Sequence, residues 1–250
     1  MKKVSTLPKA QPLKEKRKSS LINLIGVLLL VVAGVLIALL FFMNSPQLQA
    51  WYKDYTRGLV RLEDYVLNLP RMELIALAVL LLYIIKSLAP LPFFPISVMC
   101  IITGAVLPMT TSFAINFAGL VLLVTLRYWW GRRSGGQVQK VLKLHPSIRV
   151  FIENENKSKP WLLFLFRLVP NFPVNSVSQI YGSMRFDFPD YALISLLGFL
   201  PKLISYTILG NYSFDPLSIP FIVPLIIIFT LSGVSVIGIN LALAKRQREA

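Results

Sequence analysis

One cation in this sequence stands where a cation is costly. Arg167 follows the apolar run Trp161 to Phe166 and precedes Leu168-Val169-Pro170-Asn171-Phe172-Pro173, with Asn175 close behind. An arginine at membrane depth normally faces a cavity or a partner, and its planar fork of donors can hold a phosphate bidentately. The same fork can equally satisfy carbonyls freed by Pro170 and Pro173, since proline supplies no N–H and pushes its predecessor out of the helical region. Asn171 and Asn175 add donors, so Arg167, Asn171 and Asn175 form the candidate substrate-binding set; the asparagines can also serve as capping groups at the break. No nucleophile, base and orienter arrangement accompanies them, so no catalytic residue is assigned and an enzyme is not expected. Cys100 and His145 are the only residues of their kinds, which rules out an intrachain disulfide and the usual Cys/His zinc site. No metal or cofactor is expected. Gly135-Gly136, after Arg132-Arg133, reads as an interfacial turn rather than a phosphate loop.

Composition sets the surroundings. Of the 250 residues 55% are hydrophobic and 15% charged, and the mean hydropathy is +0.66. Soluble domains run at roughly 45 to 50% apolar and about 25% charged, so a water-soluble monomer is excluded. Lys and Arg number 26 against 11 Asp and Glu, a formal +15. In a soluble chain that balance would suggest nucleic acid. Here the charges lie outside the apolar runs, so anionic lipid and membrane orientation explain them better, and no nucleic-acid partner is expected.

Along the chain, residues 1–20 carry seven basic residues and one acid, Glu15, and read as a disordered basic tail. Residues 21–43 are uncharged and long enough to span, an uncleaved anchor rather than a secretory signal. Residues 44–71 mix Trp51, Tyr52, Tyr55 and Tyr65 with charges of both signs, the pattern of an interfacial amphipathic connector. Residues 72–210 form a core of unequal apolar runs, and 211–250 a last spanning helix with a basic tail.

Positive charge orients these pieces. The N-terminal tail, the segment from Arg127 to Lys159, and Lys245, Arg246 and Arg248 should all be cytoplasmic, with 44–69 and the loop near Asp215 outside. The 161–183 stretch must then begin and end on the cytoplasmic side. Trp161 to Val169 is about nine residues, near 13 Å as helix, which is roughly half a bilayer core. A re-entrant hairpin fits, its broken backbone surrounded by protein or water.

An internal repeat supports the hairpin. At an offset of 78 without a gap, Pro92, Phe94, Pro95, Ile102 and Gly104 match Pro170, Phe172, Pro173, Ile180 and Gly182, and Ala114 falls in register with Ala192. Pro92, Pro95 and Gly104, with Pro170, Pro173 and Gly182, are read as marking the two re-entrant tips. One crossing separates the copies, so they are inverted in the membrane, and inverted repeats with broken helices point to a transporter binding site. Lys86 and Lys202 read as snorkelling to an interface, and Arg185, Asp187 and Asp190 as a solvated cluster. Gly26, Gly34, Gly233 and Gly238 allow close helix approach, and self-association into a homo-oligomer is left open.

The run Phe166-Arg167-Leu168-Val169-Pro170-Asn171-Phe172-Pro173, with Asn175 and Gly182 downstream, resembles the R-x-x-P-x-x-P motif of the VTT-domain membrane proteins. That is the SNARE-associated Golgi protein family, within the DedA superfamily. Gly104-Ala105 and the Tyr128, Gly131-Arg132, Gly135 cluster resemble further stretches of the family, so the likeness covers about residues 72–210. It implies two opposed re-entrant loops and an activity in moving lipids, either polyprenyl phosphate carriers or phospholipids. Phe172 and Pro173 stand where the DedA branch has a second arginine, which places the chain nearer the Golgi-type branch. No Asp or Glu occurs between Glu73 and Glu153, which counts against proton coupling through first-repeat acids.

The sequence therefore predicts an all-α polytopic plasma-membrane protein. Its core is an inverted pair of re-entrant hairpin plus transmembrane helix, with extra N- and C-terminal spanning helices and both termini cytoplasmic. The leading function is translocation or scrambling of phosphate-bearing lipids, anionic phospholipid or polyprenyl phosphate. A non-transporting scaffold and a small-ion or metal-ion transporter are the alternatives.

Overall fold

Helix length decides which elements can cross a membrane. The computed structural model describes residues 11–42, 46–67, 72–88, 95–133, 160–169 and 173–249, and within them all regular structure is helical. In chain order the helices are α1 (Gln11–Phe42), α2 (Pro46–Leu67), α3 (Met72–Leu88), α4 (Ile96–Val106), α5 (Met109–Arg133), α6 (Pro160–Leu168), α7 (Val174–Ser183), α8 (Phe188–Asn211) and α9 (Ile219–Glu249). Four are long and apolar enough to cross, through Asn23–Phe42, Met109–Arg133, Phe188–Asn211 and Ile219–Leu241. At 1.5 Å per residue, α4, α6 and α7, of 11, 9 and 10 residues, each fall well short of a hydrocarbon core of about 30 Å.

Two ends differ from expectation. The first helix extends back to Gln11 at least, inside the stretch 1–20 expected to be disordered, whose first ten residues lie outside the described ones. Helix nucleation is the costly step, so the apolar span can propagate backwards through Leu13, Lys14, Glu15, Lys16 and Arg17, all good helix formers. For the same reason α9 runs on through Lys245 and Arg246 to Glu249 instead of ending in a tail.

The outer helices pair with each other. Gly26 of α1 lies against Ile237 and the Gly233 carbonyl of α9, and Asn240 Nδ2 donates to Asn23 Oδ1 at 2.7 Å. The two helices are antiparallel, so their Gln11 and Glu249 ends point the same way. Gly34 and Gly238 meet nothing close, so of the four glycines only Gly26 and Gly233 serve this crossing. At the opposite end, α2 reaches the turn between α8 and α9: the Tyr52 hydroxyl donates to the Asp215 carboxylate and accepts from Leu217 N–H at 3.0 Å.

The core, α3 to α8, is built from two halves that exchange helices. In α4, a Cβ on Gly104 would overlap the Thr207 carbonyl and press on Asn211 N; in α7, a Cβ on Gly182 would overlap the Tyr128 carbonyl and press on Arg132 N. In return, Gly210 of α8 closes on the Ile101 backbone and Gly131 of α5 on the Gln179 backbone. Each short helix thus packs on the spanning helix of the other half. Gly104 and Gly182 are 78 positions apart, and so are Ile101 and Gln179, but Gly131 and Gly210 are 79 apart, as are Met109 and Phe188, which begin α5 and α8. The repeat therefore carries a one-residue shift, and Ala114 is equivalent to Leu193 rather than Ala192. The turn Met184–Asp187 between α7 and α8 is longer than Leu107-Pro108 between α4 and α5, which takes up the shift.

Pro95 and Pro173 stand immediately before α4 and α7, where a missing N–H costs nothing, and their carbonyls accept from Met99 and Val177 N–H at 3.3 and 3.1 Å. Gly104 and Gly182 lie in the last turns of those helices, away from the breaks, so they are crossing residues and not tip residues. Close backbone approach between helices requires the absence of a Cβ there. Pro92, Pro170, Phe94 and Phe172 lie outside the described residues, as does the basic stretch 134–159 with Gly135, Gly136 and His145.

Candidate functional site

The break between α6 and α7 is surrounded by polar groups from three helices. Arg167, in the last turn of α6, is 1% exposed. Its Nε donates to Ser195 Oγ at 3.2 Å, Nη1 to the Val174 carbonyl at 3.3 Å, and Nη2 to Ser178 Oγ and the Tyr191 hydroxyl, both at 2.9 Å. The guanidinium also lies over the rings of Tyr191 and Phe199, at 5.7 and 5.2 Å from their centroids. Ser178 passes its own hydrogen to the Val174 carbonyl (2.8 Å), and Tyr191 to the Val124 carbonyl of α5 (3.3 Å). One side chain thus fastens α6, α7 and α8 directly and α5 through Tyr191.

Its hydrogen-bond partners carry no charge. Every hydrogen-bond partner is a hydroxyl or a carbonyl, and no Asp or Glu is buried among the described residues. The helix geometry explains why Arg167 can be accommodated: Gly198 of α8 lies against its Cβ and Cγ, so α6 and α8 approach closely there. Tyr191, Ser195, Gly198, Phe199 and Lys202 recur at helical spacing along one buried face of α8.

Lys202 is 6% exposed, and its Nζ donates to the Val169 carbonyl at 2.9 Å, just beyond the end of α6. Lys86 is also buried, at 7%, and its carbonyl accepts from Arg127 Nη2 at 3.0 Å. The expectation that both lysines snorkel outward is corrected on this point. A helix end leaves carbonyls without intrahelical partners and carries partial negative charge, and here a cation from the facing spanning helix serves each break. Arg185, Asp187 and Asp190 are exposed, as expected, and Arg185 turns the chain between α7 and α8 with φ 54°.

Of the sequence-read candidates, Asn175 is half-buried with an Oδ1 that is buried and has no hydrogen-bond partner, and Asn171 lies outside the described residues. The site residues missed from the sequence are Ser178, Tyr191, Ser195, Phe199 and Lys202; their common face on α8 and the single turn from Val174 to Ser178 were the available signals.

The first half holds a neutral counterpart. Tyr83 of α3 packs on Gly119 of α5, its hydroxyl donates to Asn116 Oδ1 at 3.2 Å, and it lies 3.5 Å from Cys100 Sγ of α4. Asn116 Nδ2 continues to Thr207 Oγ1 of α8 at 2.9 Å. Among the described residues no group of three or more His, Cys, Asp or Glu could hold a metal.

Two halves exchanging short helices around a buried arginine, on apolar helices long enough to span, define a polytopic α-helical membrane protein. The family model described as the VTT domain matches residues 94–212, which takes in α4 to α8 and both halves of the exchange. Residues 94–212 thus carry a VTT domain, the domain of the DedA and SNARE-associated family. No curated protein and no solved structure matches the chain.

Proposed function

We propose that the protein moves phosphate-bearing lipids between membrane leaflets, the headgroup passing Arg167 at the break between α6 and α7. The observation that carries this reading is a buried cation with neutral partners only. A charge removed from water is expensive unless compensated, and none of its partners is an acid. A lipid phosphate supplies the missing charge. Arg167, Asn171 and Asn175 are its proposed ligands, and anionic phospholipid or polyprenyl phosphate its proposed form. The breaks before Pro95 and Pro173 act as re-entrant tips, and no chemistry on the lipid is involved.

The proposed site of action is the plasma membrane, with both termini and residues 132–159 cytoplasmic and residues 44–69 and the loop near Asp215 outside. Exposed Trp129, Trp130 and Trp161 flank the basic segment as interfacial aromatic residues do. Cysteines placed singly at Gln49, Gln139 and Ser213 test this with an impermeant thiol reagent on intact cells, since Cys100 is buried. Labelling is expected at 49 and 213; labelling at 139 alone reverses the orientation.

Purified protein in liposomes carrying fluorescent lipids tests the activity: acceleration of exchange between leaflets is expected. A second reading, a non-transporting scaffold, is favoured by the four hydrogen bonds that already hold Arg167 to protein groups. No acceleration with any of several lipid classes would establish it.

A further inference from the structure

Phe199 carries a cation on its ring from each of two helices. The Arg167 guanidinium carbon lies 5.2 Å and Lys202 Nζ 4.9 Å from the ring centroid, so the charges are no more than about 10 Å apart, close enough to repel appreciably away from water. Both side chains are buried, at 1% and 6% exposure.

Their partners bracket the break. Lys202 holds the Val169 carbonyl on one side of it, and Arg167 the Val174 carbonyl on the other. Neither cation is exhausted by these bonds. An ammonium has three donors, of which Lys202 commits one among the described residues, and a guanidinium has five, of which Arg167 commits four among them.

Capping the broken helix does not by itself call for two cations. In the first half the Lys86 carbonyl accepts from Arg127, Lys86 and Arg127 are themselves buried, Tyr83 occupies the place of Arg167, and the residue equivalent to Lys202 is Leu123. The paired cations around one ring belong to the second half.

We propose that Lys202 is the second cation of the site: Lys202 and Arg167 together bind one phosphate anion, with Phe199 as the apolar wall between them. The anion provides the negative charge that the buried pair lacks. A headgroup carrying its own ammonium would bring a third positive charge to the pair, so the site takes anionic phosphate in preference to zwitterionic. The choice of a lipid phosphate rests on the lipid-moving reading above; anion binding by the two cations does not.

The test uses the purified full chain, Lys202→Gln and Lys202→Arg in a neutral detergent, and follows melting with short-chain phosphatidylglycerol, short-chain phosphatidylcholine or inorganic phosphate. Phosphatidylglycerol is expected to raise the melting temperature of the parent and of Lys202→Arg, while phosphatidylcholine does not. Lys202→Gln should need about ten- to a hundredfold more phosphatidylglycerol for the same increment, the loss of one charge-assisted bond. Stabilisation by inorganic phosphate as well as by the lipid places recognition in the phosphate group; stabilisation by the lipid alone shows that the acyl chains take part. Either supports the proposal.

A lower baseline melting temperature in Lys202→Gln with an unchanged increment would overturn it, since capping of Val169 alone predicts that pattern. Equal effects of the two lipids on the parent would also overturn it, and that arm stands even if Lys202→Gln fails to accumulate. A parent that binds phosphatidylglycerol selectively but moves no lipid in liposomes would remove the lipid-moving reading and leave this one intact.

Discussion

Tyr83 and Arg167 occupy equivalent places in the two halves of the core. Each lies on the helix that enters a break, against a glycine of the next spanning helix, Gly119 or Gly198, and those glycines are 79 positions apart. Each contacts the facing short helix, at Cys100 or Ser178, and the spanning helix, at Asn116 or Ser195. The same junction is therefore built once around a neutral phenol and once around a cation. A neutral junction has a small desolvation cost, whereas the charged one is costly in the absence of an anion. That asymmetry is the reason the proposed binding is placed in the second half.

Substitutions at the pair should separate these roles. Tyr83→Phe removes one hydroxyl from the Asn116 junction and should cost about 1 kcal/mol, a melting shift of a few degrees, with lipid movement retained. Arg167→Lys keeps the charge but cannot reach four partners in a plane, so lipid movement should fall while the protein still inserts. Arg167→Ala should reduce it further. Both variants lose made bonds and should melt lower, so activity is read well below each melting temperature: full activity there would mark the residue as structural, and an equally stable, equally active Arg167→Ala would remove it from the site.

The glycine crossings give a sharper test of the exchanged halves. Gly104→Ala and Gly182→Ala each force a methyl group into a backbone carbonyl, of Thr207 or Tyr128, which cannot move without separating the helices. Overpacking of this kind costs about 1 to 3 kcal/mol, so melting in detergent should fall by several degrees in each. Gly58 of α2 has nothing within 4 Å, and Gly58→Ala should instead add about 0.5 to 1 kcal/mol through helix propensity. Equal behaviour of Gly58→Ala and Gly182→Ala would contradict the crossing.

Much of this architecture was legible because it rests on length and composition. Leu21 to Met43 is uncharged throughout and apolar but for Asn23, Trp161 to Val169 is too short to span, and Pro173 cannot continue a helix. The matched glycines 104 and 182 were found as a repeat, but their partners Gly131 and Gly210 were not, because a one-residue shift in the intervening turn hides them from an ungapped comparison. Arg167 was conspicuous as a charge among apolar residues. Lys202 was equally conspicuous, yet whether a lysine reaches an interface or turns inward depends on which helix faces it, and only the packing of α8 on α6 places it at Val169. The helicity of residues 11–20 was illegible for a related reason: composition reports solvation, whereas a helix already nucleated extends through residues that would not begin one.

Arg185 offers a local test in the turn that shifts the repeat. Its φ of 54° places a side-chain-bearing residue in the left-handed region, which costs of order 1 kcal/mol for anything but glycine. The side chain is exposed, so its removal sacrifices little. Arg185→Gly should leave stability unchanged or raise it slightly, and Arg185→Val, β-branched and ill-suited to that conformation, should lower it. The opposite order in a melting series would mean that the turn has another geometry.

Arginine-to-lysine exchange should have opposite consequences at the two breaks. Arg127 donates from Nη2 to the Lys86 carbonyl at 3.0 Å, but its Nε is buried with no partner. A buried donor left unsatisfied costs about 1 to 3 kcal/mol. Arg127→Lys retains a cation able to reach the Lys86 carbonyl and removes the orphaned donor, so stability should be unchanged or higher. Arg127→Met removes both and leaves the carbonyl at the end of α3 uncapped, which should lower melting by several degrees. At position 167 lysine loses bonds that are all made, so the same exchange should destabilise. Melting curves of Arg127→Lys, Arg127→Met and Arg167→Lys decide the matter: if Arg127→Lys destabilises as much as Arg127→Met, the second nitrogen of the fork is essential and capping by a single donor is the wrong description of the first break.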